Sequence, residues 1–133
     1  MKRKILFTGL LVFTVLSSST AYAAINEAKS SISLGSETTL RHSAKFSSKT
    51  TSTITCERID VRSYIYMNFK KQGPTEQNSN YRAKTVSLSG EREVVSPTKE
   101  AYWEILGYHT EYAKDESIKT DDWESYDDMI WRP

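Results

Sequence analysis

Two histidines and a single cysteine are the residues of this 133-residue chain best suited to chemistry near neutral pH. His109, in GYHTEY, stands two residues before Glu111, so on a strand the two side chains share a face and could pair as an acid–base couple or as metal ligands. Gly107 beside them permits close backbone approach. Nothing completes the set. A zinc site needs three or four His, Cys or carboxylate ligands, and the deaminase pattern His-any-Glu requires a paired-cysteine motif that this chain lacks. Cys56 with a histidine would make a thiol hydrolase pair, but its place in an alternating segment predicts a buried, inert thiol rather than a nucleophile or a cross-chain bridge. The abundant serines come with no Gly-any-Ser-any-Gly elbow and no Gly-rich phosphate loop. His42 falls among residues of core parity and reads as a hydrogen-bonded interior histidine. No catalytic residue, metal site or cofactor is assigned.

Binding offers more than catalysis. In DVRSYIYMNFKK (60–71), period-2 alternation puts Val61, Ile65, Met67 and Phe69 on one side and Arg62, Tyr64, Tyr66, Asn68 and Lys70 on the other. Two tyrosines about 7 Å apart, flanked by hydrogen-bond donors, could stack on sugar rings or anchor a protein partner. The bland alternative is a half-exposed sheet surface, where tyrosine is common. Tyr108 and His109 are expected as neighbours of this strip, giving Arg62, Tyr64, Tyr66, Tyr108 and His109 as the candidate ligand-binding residues.

These residues need strands to position them. The segment after residue 23 is rich in Ser and Thr, and its apolar residues recur with period 2. Ile32, Leu34, Leu40, His42, Ala44 and Phe46 share one parity, which predicts one long strand over 31–47 or two with a break near Gly35. Ile54 and Cys56 lie on even positions, Ile59 to Phe69 on odd ones, so a bulge or bend is expected near Glu57-Arg58. QGPTEQNSN (72–80) reads as a loop, Tyr81 to Leu88 as a strand, and the following SGE as a turn. SPTKEAYWEILG reads as a short helix or, preferred for its aromatics on both faces, as a central strand running on through YHTEYA. DDWESYDDMIWRP has helical spacing of Trp123, Tyr126 and Ile130, or forms a last edge strand. The predicted fold is all-β: a small antiparallel β-sandwich or open barrel of about six strands, with a short C-terminal helix as one reading of the end.

The first residues have the pattern of an export signal. Lys2, Arg3 and Lys4 precede an apolar run from Ile5 to Leu16, and Ala21-Tyr22-Ala23 supplies the small–any–small cleavage pattern. The run is shorter than the roughly 20 residues of a membrane span. The expectation is a signal peptide at 1–23 and a single secreted β domain at 24–133, with no stable membrane span after cleavage. Losing the three basic residues turns 18 basic against 17 acidic into 15 against 17, so no strongly basic nucleic-acid surface is expected. Acids crowd the C-terminal segment among Trp123, Tyr126, Met129, Ile130 and Trp131, without the spacing of an EF-hand loop. Docking of this segment on its own domain is expected ahead of docking on a partner, since exposed tryptophans are costly.

Signal, size and Ser/Thr-Tyr-rich strands loosely resemble small secreted bacterial β-sandwich proteins, including bacteriocin-like ones; no motif carries the likeness and no functional residue is transferred. The leading expectation is a small exported, non-enzymatic binding protein whose partner is a cell-envelope glycan or an extracellular protein. A secreted antagonist of the cell envelope is the second reading, and a small hydrolase centred on His109 with Glu111 or Cys56 the third.

Overall fold

The computed structural model describes residues 23–133, so the expected signal segment lies outside the described residues except for Ala23. These residues form six strands: β1 (Ile25–Glu37), β2 (Arg41–Met67), β3 (Lys70–Lys71), β4 (Glu76–Val95), β5 (Ala101–Tyr112) and β6 (Asp121–Trp131). Among them no helix is long and apolar enough to cross a membrane.

The 27-residue β2 organises one curled antiparallel sheet. Along one edge it pairs with β4, from Arg41↔Val95 to Ser63↔Glu76, with an irregularity between Thr51 and Cys56. Along the other edge it pairs first with β1, from Glu37↔His42 to Ile25↔Ser52, and then with β5, from Arg58↔Tyr112 to Met67↔Trp103. β5 in turn pairs with β6. The partner changes where the buried parity changes, even through Phe46, Ser48, Thr50, Ser52 and Cys56, then odd through Ile59, Val61, Ser63 and Ile65. This is the bend expected near Glu57-Arg58: a strand that serves both halves of a curled sheet must shift which side faces the inside.

Curling brings β1 over β6 without a backbone ladder between them. Instead, Ile32 N–H donates to an Asp127 carboxylate oxygen and Ile25 N–H to Asp121, each at 3.0 Å. The C-terminal acids thus cover edge amides that would otherwise lack partners, and the segment docks on its own domain. The result is a half-barrel, so the all-β expectation holds and its open-barrel form describes the chain.

One apolar cluster gathers Ile32, Ala44, Phe46, Ile65, Trp103, Ile105, Met129 and Trp131; a second gathers Cys56, Ile59, Val61 and Val86. Between Ile65 and Val61 on β2 sits Ser63, part of a buried polar layer with Ser30, Ser48, Thr50, His109 and Ser125.

Several local expectations are corrected. The C-terminal helix does not form: Ser125, Asp127, Met129 and Trp131 turn inward at period 2, and Tyr126 and Ile130, read at helical spacing, are only partly buried. The β1–β2 break falls at Thr38–Leu40 rather than Gly35, leaving Leu40 in the turn, 73% exposed. Only 72–75 of the expected loop is irregular, because 76–80 enters β4; its side chains are almost all exposed, so the backbone ladder alone places it. SGE does not turn the chain. Gly90 pairs with Phe46 mid-strand, and a Cβ there would lie 2.5 Å from the Phe46 ring Cζ, so glycine here lets an aromatic ring lie over the backbone.

Candidate functional site

Because β2, β5 and β6 pair in register, their outward residues form rows across the sheet. Arg58 lies beside Tyr112; Asp60 beside Thr110 and Asp122; Arg62 beside Tyr108 and Glu124; Tyr64 beside Leu106 and Tyr126; Tyr66 beside Glu104 and Asp128. Rings and cations interleave down these rows. The Arg58 guanidinium lies 3.7 Å over the Tyr112 ring, Arg62 5.8 Å from Tyr108, and the Lys71 ammonium 5.2 Å from Tyr64. Tyr64 and Tyr108 meet edge to face at 5.5 Å. Such contacts hold the rings in fixed orientations, which lowers the ordering cost of binding against them. Burial raises the Tyr108 phenol, with Glu124 adding to it, so the hydroxyl stays protonated as a donor.

Next to these rows is an open depression of about 590 Å³ lined by Arg62, Tyr108, Tyr112, Lys119, Trp123 and Glu124, among others. Of the five candidate binding residues, Arg62, Tyr64, Tyr66 and Tyr108 therefore share one outward face. His109 does not share it: neighbours on a strand point to opposite sides, and its ring is 0% exposed.

His109 is the centre of the interior polar layer. Its Nε2 lies 2.6 Å from Ser125 Oγ and its Nδ1 2.7 Å from Thr50 Oγ1. Thr50 donates to the Asp60 carbonyl, so it accepts from Nδ1–H, and Nε2 must accept from Ser125. The same direction then runs back through Ser30, Ser48 and Ser63, linked at 2.6 to 2.7 Å. Every hydroxyl of the layer donates once, and all but Ser63 at its end accept from a neighbour, which lets serines occupy a core. Burial lowers His109 to about 4, matching the neutral ring this arrangement requires. Gly107 makes room for it, since a Cβ at that position would lie 2.5 Å from Ser125 Oγ and 2.9 Å from His109 Nε2.

Glu111 is buried as well, but it binds the hydroxyls of Ser52 and Thr120 rather than His109. Cys56 is a free, buried thiol pushed up by burial. The three residues of the hydrolase reading are thus closed off from solvent, and His109 and Glu111 bond to other partners. Among the described residues no group of three or more His, Cys, Asp or Glu could hold a metal ion. His42 is the interior histidine its parity predicts. It is stacked on Trp131 at 4.3 Å, its Nε2 accepts from the Trp103 indole at 3.0 Å, and its Nδ1 faces Ser96.

The sequence reading left Arg58, Tyr102, Glu104, Tyr126 and Asp128 out of the outward face. Strand parity marks each of them once the cross-strand register is known, but the register itself is not visible in one strand's pattern.

No family model matches this chain, and neither does any curated protein. Among solved structures, a crystal structure of a protein from Archaeoglobus fulgidus is similar, with a TM-score of 0.43 and 10% sequence identity, covering 83% of this chain and 98% of that one. A likeness at that level carries no argument about function.

Proposed function

We propose that this chain is a small exported binding protein that engages a cell-envelope glycan through the outward face of β2, β5 and β6. The supporting observation is the joining of exposed Arg62 with half-buried Tyr64 and Tyr108 into one outward strip, with Tyr64 and Tyr108 edge to face at 5.5 Å, beside the open depression on the same face. Fixed aromatic faces with charged and amide neighbours suit sugar rings, which present C–H groups to the ring and hydroxyls to the rim. The export pattern of the first residues supplies the compartment for this reading.

The test is co-sedimentation of the purified mature chain with insoluble cell-wall glycan. Tyr64→Ala with Tyr108→Ala is expected to weaken binding at least ~10-fold, the effect of losing a central aromatic anchor. Ser47→Ala, on the β1–β2–β4 side, is expected to leave binding unchanged. Equal binding by the double variant and the native chain overturns the surface assignment, and no binding by the native chain overturns the glycan.

A further inference from the structure

The charged groups around the open depression sort into pairs, with two left over. Lys119 bonds Asp122 at 2.6 Å, and next to them on β2 Arg58 lies 3.2 Å from Asp60. At the far end of the outward face, Glu104 accepts from the Tyr126 hydroxyl and Asp128 from the Tyr102 hydroxyl, while Lys71 donates to Thr75. Arg62 and Glu124 both line the depression. Among the described residues neither has an ion-pair partner or a side-chain hydrogen bond.

The register keeps these two apart. Arg62 pairs with Tyr108 and Tyr108 with Glu124, so the tyrosine stands between them in one row. Their backbones are about 10 Å apart, two strand spacings. The Arg62 guanidinium lies 5.8 Å from the Tyr108 ring. Both charges act on the Tyr108 hydroxyl: burial raises it most, Glu124 adds to this and Arg62 opposes it. A free cation and a free anion thus flank one fixed aromatic ring on the wall of a concave site.

We propose that the Arg62–Tyr108–Glu124 row binds a zwitterionic glycan, one that carries a carboxylate and a free ammonium on the same sugar or on adjacent ones. This rests on the glycan reading of the face and narrows it. The planar Arg62 fork takes the carboxylate through two parallel N–H···O bonds, the Glu124 carboxylate accepts from the ammonium, and a C–H face of the sugar lies on the Tyr108 ring. A purely anionic glycan would satisfy Arg62 but meet Glu124 as a like charge, and a purely cationic one would do the reverse. Lys119 and Asp122, the other charges of the lining, neutralise each other. The field in the depression is therefore set by Arg62 on the β2 side and Glu124 on the β6 side.

Co-sedimentation with four forms of one insoluble cell-wall glycan tests this. The first form is partly de-N-acetylated, so that free amines stand beside its carboxylates; in the others the amines are re-acetylated, the carboxylates are converted to methylamides, or both groups are blocked. The native chain is expected to bind the zwitterionic form roughly 5-fold more tightly than either singly blocked form, about what one well-placed, partly exposed ion pair contributes. The margin should shrink at high salt. Arg62→Gln should erase the loss caused by blocking the carboxylates and keep the loss caused by blocking the amines, and Glu124→Gln should do the opposite. Equal binding of the native chain to all four forms, or tightest binding to a singly blocked one, overturns the zwitterion assignment while leaving the aromatic face as a glycan site, and neither result depends on a variant folding. Variants that lose affinity for all four forms alike overturn it as well, because the two side chains would then act through the fold and not on the ligand's charges. No binding of any form by the native chain overturns the glycan reading itself, and this inference with it.

Discussion

Gly107→Val is expected to be the most damaging single substitution on β5, lowering stability by more than about 4 kcal/mol as measured by chemical unfolding. The position is closed on three sides by Ser30, Ser125 and His109, so a Cβ there meets side-chain polar atoms rather than adaptable apolar ones. Inserting branched methyl groups forces these side chains off their positions, at roughly 1–3 kcal/mol for overpacking. It also breaks the hydroxyl chain, and each buried donor or acceptor left unpaired costs a further 1–3 kcal/mol or so. Against the ~5–15 kcal/mol that holds an ordinary domain together, this is a large fraction. Gly107→Ala separates the two terms: it should cost about 2 kcal/mol, and adding Ser30→Ala, which removes the nearest hydroxyl, should cost less in that background than in the native one. If the two changes prove additive, the contact is not what makes glycine necessary there.

The serines of this layer also show where the sequence is legible and where it is not. Period-2 patterning of Ile59, Val61, Ile65 and Met67 gives a strand, its parity switch gives the bend, and the Trp103–Ile105 alternation gives the central β5. Those signals are apolar, and they succeed because burial of apolar side chains is what the pattern records. Ser30, Ser48, Ser63 and Ser125 read as surface residues because a serine's cost of burial is removed only by its hydrogen-bond partners, and those lie far away in the chain, on β1, β2 and β6. The same blindness covers Gln77 to Asn80. That stretch is a strand solely because the edge of β2 at Ile59 to Arg62 pairs with it.

The candidate site follows the same division. Tyr64, Tyr66 and Arg62 share a face by local alternation, which any strand enforces. The addition of Tyr108 depended on β5 lying beside β2 with Arg62↔Tyr108 in register. Placing His109 with them contradicted the alternation itself, since Trp103, Ile105, Gly107 and His109 all carry the inward parity of β5. The C-terminal acids were legible as a docking segment, but their targets are the backbone amides of β1 rather than basic side chains.

Acid should weaken this fold from inside, and the amount is set largely by His109. The ring titrates near its ordinary 6.5 in the unfolded chain and at about 4 in the buried layer, where burial disfavours the cation. Between those values the unfolded chain takes up a proton that the folded one refuses, so stability is full above about 6.5 and declines as pH falls towards about 4, by ~3 kcal/mol in all. His42 adds to this with the same sign, since burial lowers it too. Its Nε2 must also stay unprotonated to accept from Trp103. His109→Gln removes the ionisable ring while keeping one donor and one acceptor for Thr50 and Ser125. It should cost stability at neutral pH yet flatten the acidic arm, so that native and variant converge as pH falls. A native protein whose unfolding free energy is unchanged from neutral pH down to about 4 would mean that the ring accepts a proton in the folded state, which requires Ser125 to turn and the hydroxyl chain to run the other way.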